Sequence, residues 1–170
     1  MATNMTKAKT APKLSEDSLA RILDVTQKLA QPFDLLHILT EVVEAGESVL
    51  AADKGALWLY DRARQDLVMK VPVVEPAARI PTGEGLVGEC MASREVINLE
   101  NAYDDPRFRG AVDKATGYKT RSVLNVPLLG WEKQPVGVLQ LLNKFTGVFD
   151  EDDERLASTL AAQCAVAVQR

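Results

Sequence analysis

Residues 143–154, which read NKFTGVFDEDDE, constrain the fold most because they join two different periodic patterns. The apolar run at residues 136–142 predicts a buried strand, and residues 150–170 follow a helical pattern. Asp150 can cap that helix, and the acidic residues after it suit the positive end of the helix dipole. Lys144 leaves the strand close enough to pair with one of these carboxylates. We therefore predict a last strand that is tied to a closing helix.

The composition is typical of a globular domain. A chain of 170 residues, 46% of them hydrophobic, is long enough to bury a substantial core. The net charge of −4 gives no general attraction to nucleic acid or anionic lipid, and no apolar run is long enough to cross a membrane. The two cysteines lie far apart and indicate neither a disulfide framework nor a zinc cluster. We expect a cytoplasmic protein with no nucleic-acid or membrane partner.

The polar residues 1–13 predict a disordered N-terminal arm, which leaves residues 14–170 as a single domain. A first helix is predicted to begin after Ser15, and a second at Asp34. The first helix carries an apolar stripe at helical spacing: Leu19, Ile22 and Leu29. Such a stripe suits packing against another helix or a second subunit.

Short strands with intervening turns are predicted between the second helix and the closing one. A turn at residues 53–55 leads into the first of them. The predicted strands cover residues 56–60, 67–71, 79–80, 96–99, 121–129 and 136–142. The closing helix is predicted to carry one apolar face: Leu156, Leu160, Gln163, Cys164 and Ala167. This order of elements favours an α+β fold with a mostly antiparallel sheet.

Residues 83–88 match the G-x-G-x-x-G fingerprint of dinucleotide sites. They follow a proline-rich loop rather than a long buried strand, which disfavours that function. A helix that begins beside glycines still offers unpaired amides to an anion. The acidic run at residues 150–154 lacks the alternating ligands of a calcium loop, so we predict helix capping there and no metal site.

Single residues with reactive side chains give little indication of a catalytic or cofactor-binding site in this sequence. His37 is the only histidine and is predicted at the surface or core edge of a helix. Cys90 and Cys164 are predicted to be small core residues, although either can be reactive where its pKa is depressed. Trp58 is predicted in the core, and Trp131 at the surface in a turn.

The order Asn-Lys, Phe, Asp-Glu within residues 143–154 resembles the signature of ligand-binding GAF domains, which are small sensor modules of signalling proteins. The resemblance extends from about Leu19 to Arg170 and is strongest to the phosphodiesterase members. It implies a structural ion pair between Lys144 and Asp153. It also implies a central six-stranded sheet, with the N- and C-terminal helices on one face and a ligand pocket on the other.

The resemblance further implies where a cyclic nucleotide binds. The backbone amides of Leu86 and Val87 match positions that meet the cyclic phosphate, which agrees with the anion site at this helix. Thr116 and Thr120 match two threonines that contact the ligand.

Four features of the family pattern are changed in this sequence. An aromatic-acid pair that holds the base is replaced by Pro72-Val73, and an aromatic near the phosphate is replaced by Arg109. Gln140 stands where a pocket glutamate is found, and Ala56 replaces a serine on the first strand. The resemblance therefore implies a pocket whose anion-binding half is kept and whose base-binding half is changed.

The resemblance implies a regulatory module and not an enzyme, with no resident cofactor. We expect it to bind a small molecule such as cAMP or cGMP, to form a homodimer, and to act on an attached cyclase, phosphodiesterase, histidine kinase or similar output domain. One alternative is a methionine sulfoxide reductase, which needs a nucleophilic cysteine and a resolving partner. Another is a GAF domain that binds no ligand and only dimerises.

Overall fold

The computed structural model describes residues 15–30 and 34–169, with the side chains of residues 24–30 excepted. The predicted disordered arm at residues 1–13 lies outside the described residues. The chain divides into two units, Met1–Phe33 and Asp34–Arg170. Each unit is described by itself below.

The first unit contains helix α1, Glu16–Ala30. The Ser18 amide donates to the Ser15 hydroxyl at 3.2 Å, so the predicted helix start at Ser15 is confirmed. Leu19, Ile22 and Leu23 are all exposed on this helix. The side chain of Leu29, the third member of the predicted stripe, lies outside the described part of the chain.

The second unit contains the sheet and the remaining helices. Its helices are α2 (Leu35–Leu50), α3 (Gly85–Ser93), α4 (Ala111–Thr116) and α5 (Glu151–Val168). Its strands are β1 (Ala52–Asp61), β2 (Asp66–Val71), β3 (Arg79–Pro81), β4 (Ile97–Leu99), β5 (Val123–Leu129) and β6 (Pro135–Lys144). Short 3-10 turns lie at Ala102–Asp104 and Trp131–Lys133.

The six strands form one sheet in the order β3-β2-β1-β6-β5-β4, and every neighbouring pair is antiparallel. This confirms the predicted α+β fold. Because side chains alternate along a strand, the sheet has two distinct faces. The helical face carries Leu57, Leu124 and Leu139 and is covered by α2 and α5. The α3 face carries residues such as Ala56 and Val138 and is covered by α3.

The helical face holds the larger apolar core. From α2 it receives Leu39, Val43 and Leu50, and all three are 1% exposed. Asp34 accepts a hydrogen bond from the His37 amide at 3.1 Å and begins α2 where the sequence predicts. The packing of α2 and α5 on one face of the sheet agrees with the fold that the sequence predicts.

The predicted turn at residues 53–55 is wrong, because these residues lie inside β1. The chain reverses earlier, at Ala51, which has a φ of 52° and ends α2. Gly55 then lies close beneath α2, where a β-carbon would be 2.9 Å from the Val43 side chain. Its amide donates to the Glu47 carboxylate at 3.0 Å. The strand therefore begins as soon as the helix ends.

The predicted apolar face of α5 is also partly wrong. Leu156 and Gln163 are exposed, and the buried face is made mainly of small residues: Ala157, Ala161, Cys164, Ala165 and Ala167. Small side chains let α5 approach the sheet closely. Alanines therefore make much of the contact with the sheet that was predicted for leucines such as Leu156. Cys164 and Ala167 are buried as predicted, and Leu160, which is partly buried, also packs against this core.

Candidate functional site

The glycine-rich segment shapes the start of α3. Gly83 and Gly85 have φ values of 88° and 64°, a region that other residues adopt at a cost. A β-carbon on Gly88 would lie 2.5 Å from the Pro81 carbonyl oxygen. The glycines thus allow a tight turn and a close contact between α3 and β3. Because the preceding strand is a three-residue edge strand, the geometry does not match a dinucleotide fold.

The first turn of α3 presents backbone amides. In any helix the first amides have no intrahelical acceptor. Glu84 is the N-cap residue, and no described side chain caps this helix start. The side chains of Leu86 and Val87 are buried in the α3-face core, so their amides are held on a rigid element. This arrangement suits an anion.

Arg109 lies at the same helix start. Its Cγ is 3.8 Å from the position that a β-carbon on Gly85 would occupy. The Arg109 side chain is exposed, so its guanidinium can reach a ligand at the first turn of α3. The structure therefore brings together Leu86, Val87 and Arg109, which the sequence predicts as the anion-binding half of a pocket.

Ala56 and Gln140 are cross-strand partners on the α3 face. Gln140 in turn pairs with Asn125 on β5, and Asn125 pairs with Ile97 on β4. Residues directly opposite each other have Cβ atoms about 5 Å apart, so Gln140 and Asn125 form a polar pair in the middle of the sheet. Asn125 was not predicted as a site residue, although an asparagine within the apolar run of β5 stands out in the sequence.

Two buried polar groups on the α3 face lack hydrogen bonds. Asn125 is 0% exposed, and neither its amide nitrogen nor its amide oxygen bonds to any described residue. The indole nitrogen of Trp58, which is 6% exposed, likewise has no partner within the described chain. Most buried side-chain polar atoms in proteins are hydrogen-bonded. The α3 face therefore differs from an ordinary protein core in containing buried polar atoms without hydrogen bonds to the described chain.

The segment at residues 102–121 packs against the α3 face through the buried Ala102 and the partly buried Phe108. Asp113 organises it by accepting hydrogen bonds from the Tyr103 hydroxyl at 2.6 Å and from the Thr120 amide and hydroxyl, each at 2.8 Å. Burial of this carboxyl tends to raise its pKa, but the three hydrogen bonds outweigh burial and lower it.

The two threonines of the predicted site lie in different environments. Thr120 is buried and donates its hydroxyl hydrogen to Asp113. Thr116 is exposed at the end of α4, where its hydroxyl donates to the Val112 carbonyl at 2.7 Å and accepts from the Tyr118 amide. Both hydroxyls thus serve local structure, and each oxygen keeps acceptor capacity.

Tyr118 fixes the end of the same segment to the sheet. Its hydroxyl donates to the Asp53 carboxylate and accepts from the Asn143 amide, both at 2.9 Å. The Lys54 ammonium lies 4.0 Å from the centre of the Tyr118 ring. Burial, followed by the Asp53 carboxylate, raises the pKa of Tyr118 to about 12. The first residue of the signature, Asn143, therefore anchors the segment beside the candidate site.

Pro72 and Val73 occupy the positions at which the family carries an aromatic-acid pair. Both are exposed beyond the end of β2, and Val73 is 63% exposed. Neither offers a side-chain hydrogen-bonding group to a base. A contact from these two positions to the base stays untested, and the exposed side chains of Pro72 and Val73 offer no hydrogen bond for one.

The ion pair between Lys144 and Asp153 is present and joins the end of β6 to the first turn of α5. Their side chains are 18% and 9% exposed. Asp150 accepts from the Asp153 amide at 2.8 Å, and Asp153 accepts from the Asp150 amide at 3.0 Å, which is a capping box. Phe149 is 3% exposed beneath this junction. The acidic run therefore caps and anchors the helix, as predicted.

Both cysteines are buried, and they lie on opposite faces of the sheet. Cys90 belongs to the α3-face core and Cys164 to the helical-face core. Burial, followed for Cys90 by the nearby Glu89 carboxylate, raises the pKa of each thiol to about 12. The Cys90 thiol donates to the Glu95 carbonyl at 3.3 Å. Neither thiol has the depressed pKa that makes a cysteine nucleophilic.

Three further residues lie where the sequence predicts. His37 is on the exposed side of α2, where its Nε2 is 3.1 Å from the Glu41 carboxylate. Trp58 is in the core, and Trp131 is 74% exposed. Within the described residues, no helix combines the length and apolar character that a membrane span requires.

Comparison with known proteins identifies the fold. The GAF domain family matches residues 34–168. A curated relative, the dual 3′,5′-cyclic-AMP and -GMP phosphodiesterase 11A of Takifugu rubripes, is 36% identical over 161 residues. That match covers 86% of this chain and 18% of the relative, so the chain spans about a fifth of the relative's length.

Solved structures agree. The GAF domain of a phosphoenolpyruvate-protein phosphotransferase from Coxiella burnetii superposes with a TM-score of 0.70 at 23% identity, over 89% of this chain and 92% of that one. The free methionine-R-sulfoxide reductase of Neisseria meningitidis has the same fold, with a TM-score of 0.66 at 20% identity over 95% of each chain. Fold, signature ion pair and family match agree, and this chain belongs to the GAF domain family.

Proposed function

We propose that this GAF domain is a regulatory sensor that binds a purine cyclic nucleotide, cAMP or cGMP, on its α3 face. The observation that carries the proposal is the first turn of α3, which no described side chain caps and beside which Arg109 lies. Free amides and a guanidinium together match the negative charge and acceptor oxygens of a cyclic phosphate.

The remaining predicted contacts surround this anion site. Gln140 and Ala56 lie side by side on the sheet under the α3-face core, where they can line the ring of the ligand. Thr116 and Thr120 can contribute their free oxygen lone pairs, since each hydroxyl hydrogen is already donated within the protein. The 36% identity to a phosphodiesterase named for cAMP and cGMP supports the same ligand class.

Signal relay is proposed to run through the sheet to α2 and α5. The ligand face and the helical face share the same strands, and Lys144 and Asp153 couple the end of β6 to α5. Movement of β6 on ligand binding would therefore be passed to the closing helix. Because the relative is much longer than this chain, we propose an attached output domain as the receiver, such as a cyclase, phosphodiesterase or histidine kinase.

A homodimer is proposed to form through exposed apolar residues of the first and last helices. Leu23 on α1 is 61% exposed, and Val166 on α5 is 60% exposed. Analytical ultracentrifugation of the wild type at micromolar concentration should show a dimer that Leu23→Glu or Val166→Glu weakens. A wild type that stays monomeric would exclude the proposed homodimer.

The reductase alternative is disfavoured by the thiols. Reduction of methionine sulfoxide by cysteine needs an accessible thiolate and a second, resolving cysteine. Cys90 and Cys164 are both 0% exposed and are separated by the sheet. The remaining alternative is a GAF domain that binds no ligand, and a binding experiment distinguishes it from the sensor.

Thermal melts with millimolar cAMP, cGMP or 5′-AMP test the proposal. A ligand at about 100 times its dissociation constant stabilises the fold by roughly 2.7 kcal/mol. We expect at least one cyclic nucleotide to raise the melting temperature, and Arg109→Ala to reduce the rise. Arg64→Ala, in the exposed turn between β1 and β2, is the matched control and should leave the rise unchanged. No rise with either cyclic nucleotide would refute the proposal.

A further inference from the structure

We propose that the side-chain amide of Asn125 is a specificity-determining contact that binds adjacent donor and acceptor groups on the edge of a planar ring. The inference rests on the proposed function only in placing a ligand on the α3 face. It assigns a hydrogen-bonding pattern to the ring of the ligand, for which the sequence predicts only Gln140 and Ala56 as lining residues and no aromatic-acid pair.

The position of Asn125 is the first support. It lies on β5 directly opposite Gln140, which is itself opposite Ala56. Helix α3 packs across β5 and β6 on this face. Asn125 therefore shares a face with the residues that the sequence assigns to the ligand and with the helix whose first turn suits the phosphate.

The missing partners are the second support. Asn125 is 0% exposed, yet both polar atoms of its amide are without a hydrogen bond to the described chain. A buried polar group that makes no bond destabilises a protein, and an apolar side chain of similar shape removes that penalty. The structure thus carries a destabilising residue at the centre of its sheet, which is typical of a group whose partner is a ligand.

A second asparagine provides the contrast. Asn98 lies on β4, and its amide nitrogen donates to the Phe149 carbonyl at 2.9 Å and to the Glu154 carboxylate at 3.2 Å. Its role is structural, because it joins an edge strand to the start of α5. The two asparagines have the same chemistry, but the amide of Asn98 is hydrogen-bonded and that of Asn125 is not.

The chemistry of the amide defines what it binds. A carboxamide is planar and offers a donor and an acceptor side by side. It can therefore pair bidentately with a ring edge that carries one acceptor and one donor, as adenine does, or one donor and one carbonyl, as guanine does. The Trp58 indole N–H on the same face is a second donor, suited to a ring nitrogen or oxygen.

Asn125 thereby replaces the aromatic-acid pair that is absent at Pro72-Val73. A carboxylate accepts only, whereas an amide both donates and accepts, and it fits either purine after rotating by half a turn. We expect the wild type to bind cAMP and cGMP with affinities that differ by less than about tenfold. A purine ring with no exocyclic donor or carbonyl should bind more weakly, because one polar atom of Asn125 would stay unpaired.

The test compares Asn125→Leu with Asn98→Leu in the full chain. Without ligand, Asn125→Leu should raise the melting temperature and Asn98→Leu should lower it. Affinities are then measured by calorimetry for cAMP, cGMP and the 3′,5′-cyclic monophosphate of purine riboside. Asn125→Leu should bind cAMP and cGMP at least about tenfold more weakly. It should also no longer discriminate against the purine riboside probe. Asn125→Val, which suits a strand, serves if the leucine variant does not fold.

The outcomes separate this inference from the proposed function. The inference is overturned if Asn125→Leu binds cAMP and cGMP as the wild type does, or if it lowers the melting temperature as Asn98→Leu does. If the wild type binds neither cyclic nucleotide, the proposed function fails and adenosine and guanosine are used as probes. Binding of either nucleoside that Asn125→Leu weakens would support the inference alone. No binding of any probe would overturn both.

Discussion

The two faces of the sheet are built from alternate residues of the same strands, yet they differ in how well their buried groups are satisfied. On the helical face, α2 and α5 cover an apolar core whose larger members, such as Leu57, Leu124 and Leu139, are 0% exposed. On the α3 face, the strands carry Asn125 and Trp58 with polar atoms that no described residue satisfies.

The difference shows how one sheet can combine a stable apolar core with buried polar groups that lack partners in the described chain. Leu124 and Asn125 are adjacent on β5 and point to opposite faces. Leu124 is buried in the apolar core, whereas Asn125 buries an amide that has no partner in the described chain. The helical face supplies the larger apolar core, and its burial offsets the cost of the unbonded polar groups on the α3 face. Stability given up at a binding site is a common feature of natural proteins.

The largest expected loss comes from breaking the ion pair that anchors the helical face. Asp153→Ala leaves the mostly buried Lys144 ammonium without its counter-charge and removes half of the capping box. The free energy of unfolding should fall by about 3–5 kcal/mol in urea melts. Glu151→Ala, which removes only an exposed pair with Arg155, should cost about 0–1 kcal/mol. Equal losses from both variants would contradict the assignment.

A cavity on the helical face should cost nearly as much. Leu124→Ala removes a side chain that is 0% exposed and should lower the free energy of unfolding by about 2–5 kcal/mol. The same urea melts on Val112→Ala, whose side chain is 70% exposed, provide the control. A loss below about 1 kcal/mol for Leu124→Ala would show that the helical face is not the main core.

The polar network of the α3 side should be sensitive to acid. The pKa of Asp113 is lowered in the folded state, so its contribution is complete above its ordinary value of 3.8 and is lost as the pH falls through the folded value. At pH 7, Asp113→Asn should cost about 1–3 kcal/mol, because it unpairs buried donors. The difference from the wild type should shrink below pH 3.8.

Asp104→Asn, at an exposed neighbouring carboxyl, is the matched control for the acid titration. It should leave both the stability at pH 7 and its decline in acid close to those of the wild type. If Asp113→Asn and Asp104→Asn gave the same curves, the hydrogen bonds from Tyr103 and Thr120 would contribute nothing measurable.

The smallest effect is expected where the 102–121 segment meets the sheet. Tyr118→Phe removes the hydroxyl that bonds Asp53 and Asn143 and should cost about 0.5–1.5 kcal/mol. Hydrogen exchange should show faster exchange in this segment, with little change in α2. Tyr60→Phe, at a half-buried tyrosine of β1, is the control. Unchanged exchange in the segment would mean that Tyr118 does not anchor it.

Helix caps and tight turns were predictable because they depend on interactions between residues that are close in the sequence. Residues 143–154 contain a strand end, a helix cap and an acidic first turn, so the junction of β6 and α5 could be read without tertiary contacts. The glycines at 83, 85 and 88 likewise indicated a tight turn before a helix. One failure was a local competition, because the chain turns at Ala51 and not at residues 53–55. The other, the buried face of α5, depends on packing against the sheet.

The sequence by itself determined the order of elements, the signature ion pair of Lys144 with Asp153 and the glycine-rich start of α3 without a side-chain cap, because these depend on residues close along the chain or on a recognisable motif. Only the tertiary structure decided which polar residues share a face and which of them find partners. Asn98 and Asn125 look alike in the sequence, and pairing across strands leaves one bonded and the other not. Burial and hydrogen-bond satisfaction depend on distant segments, so no local pattern can report them.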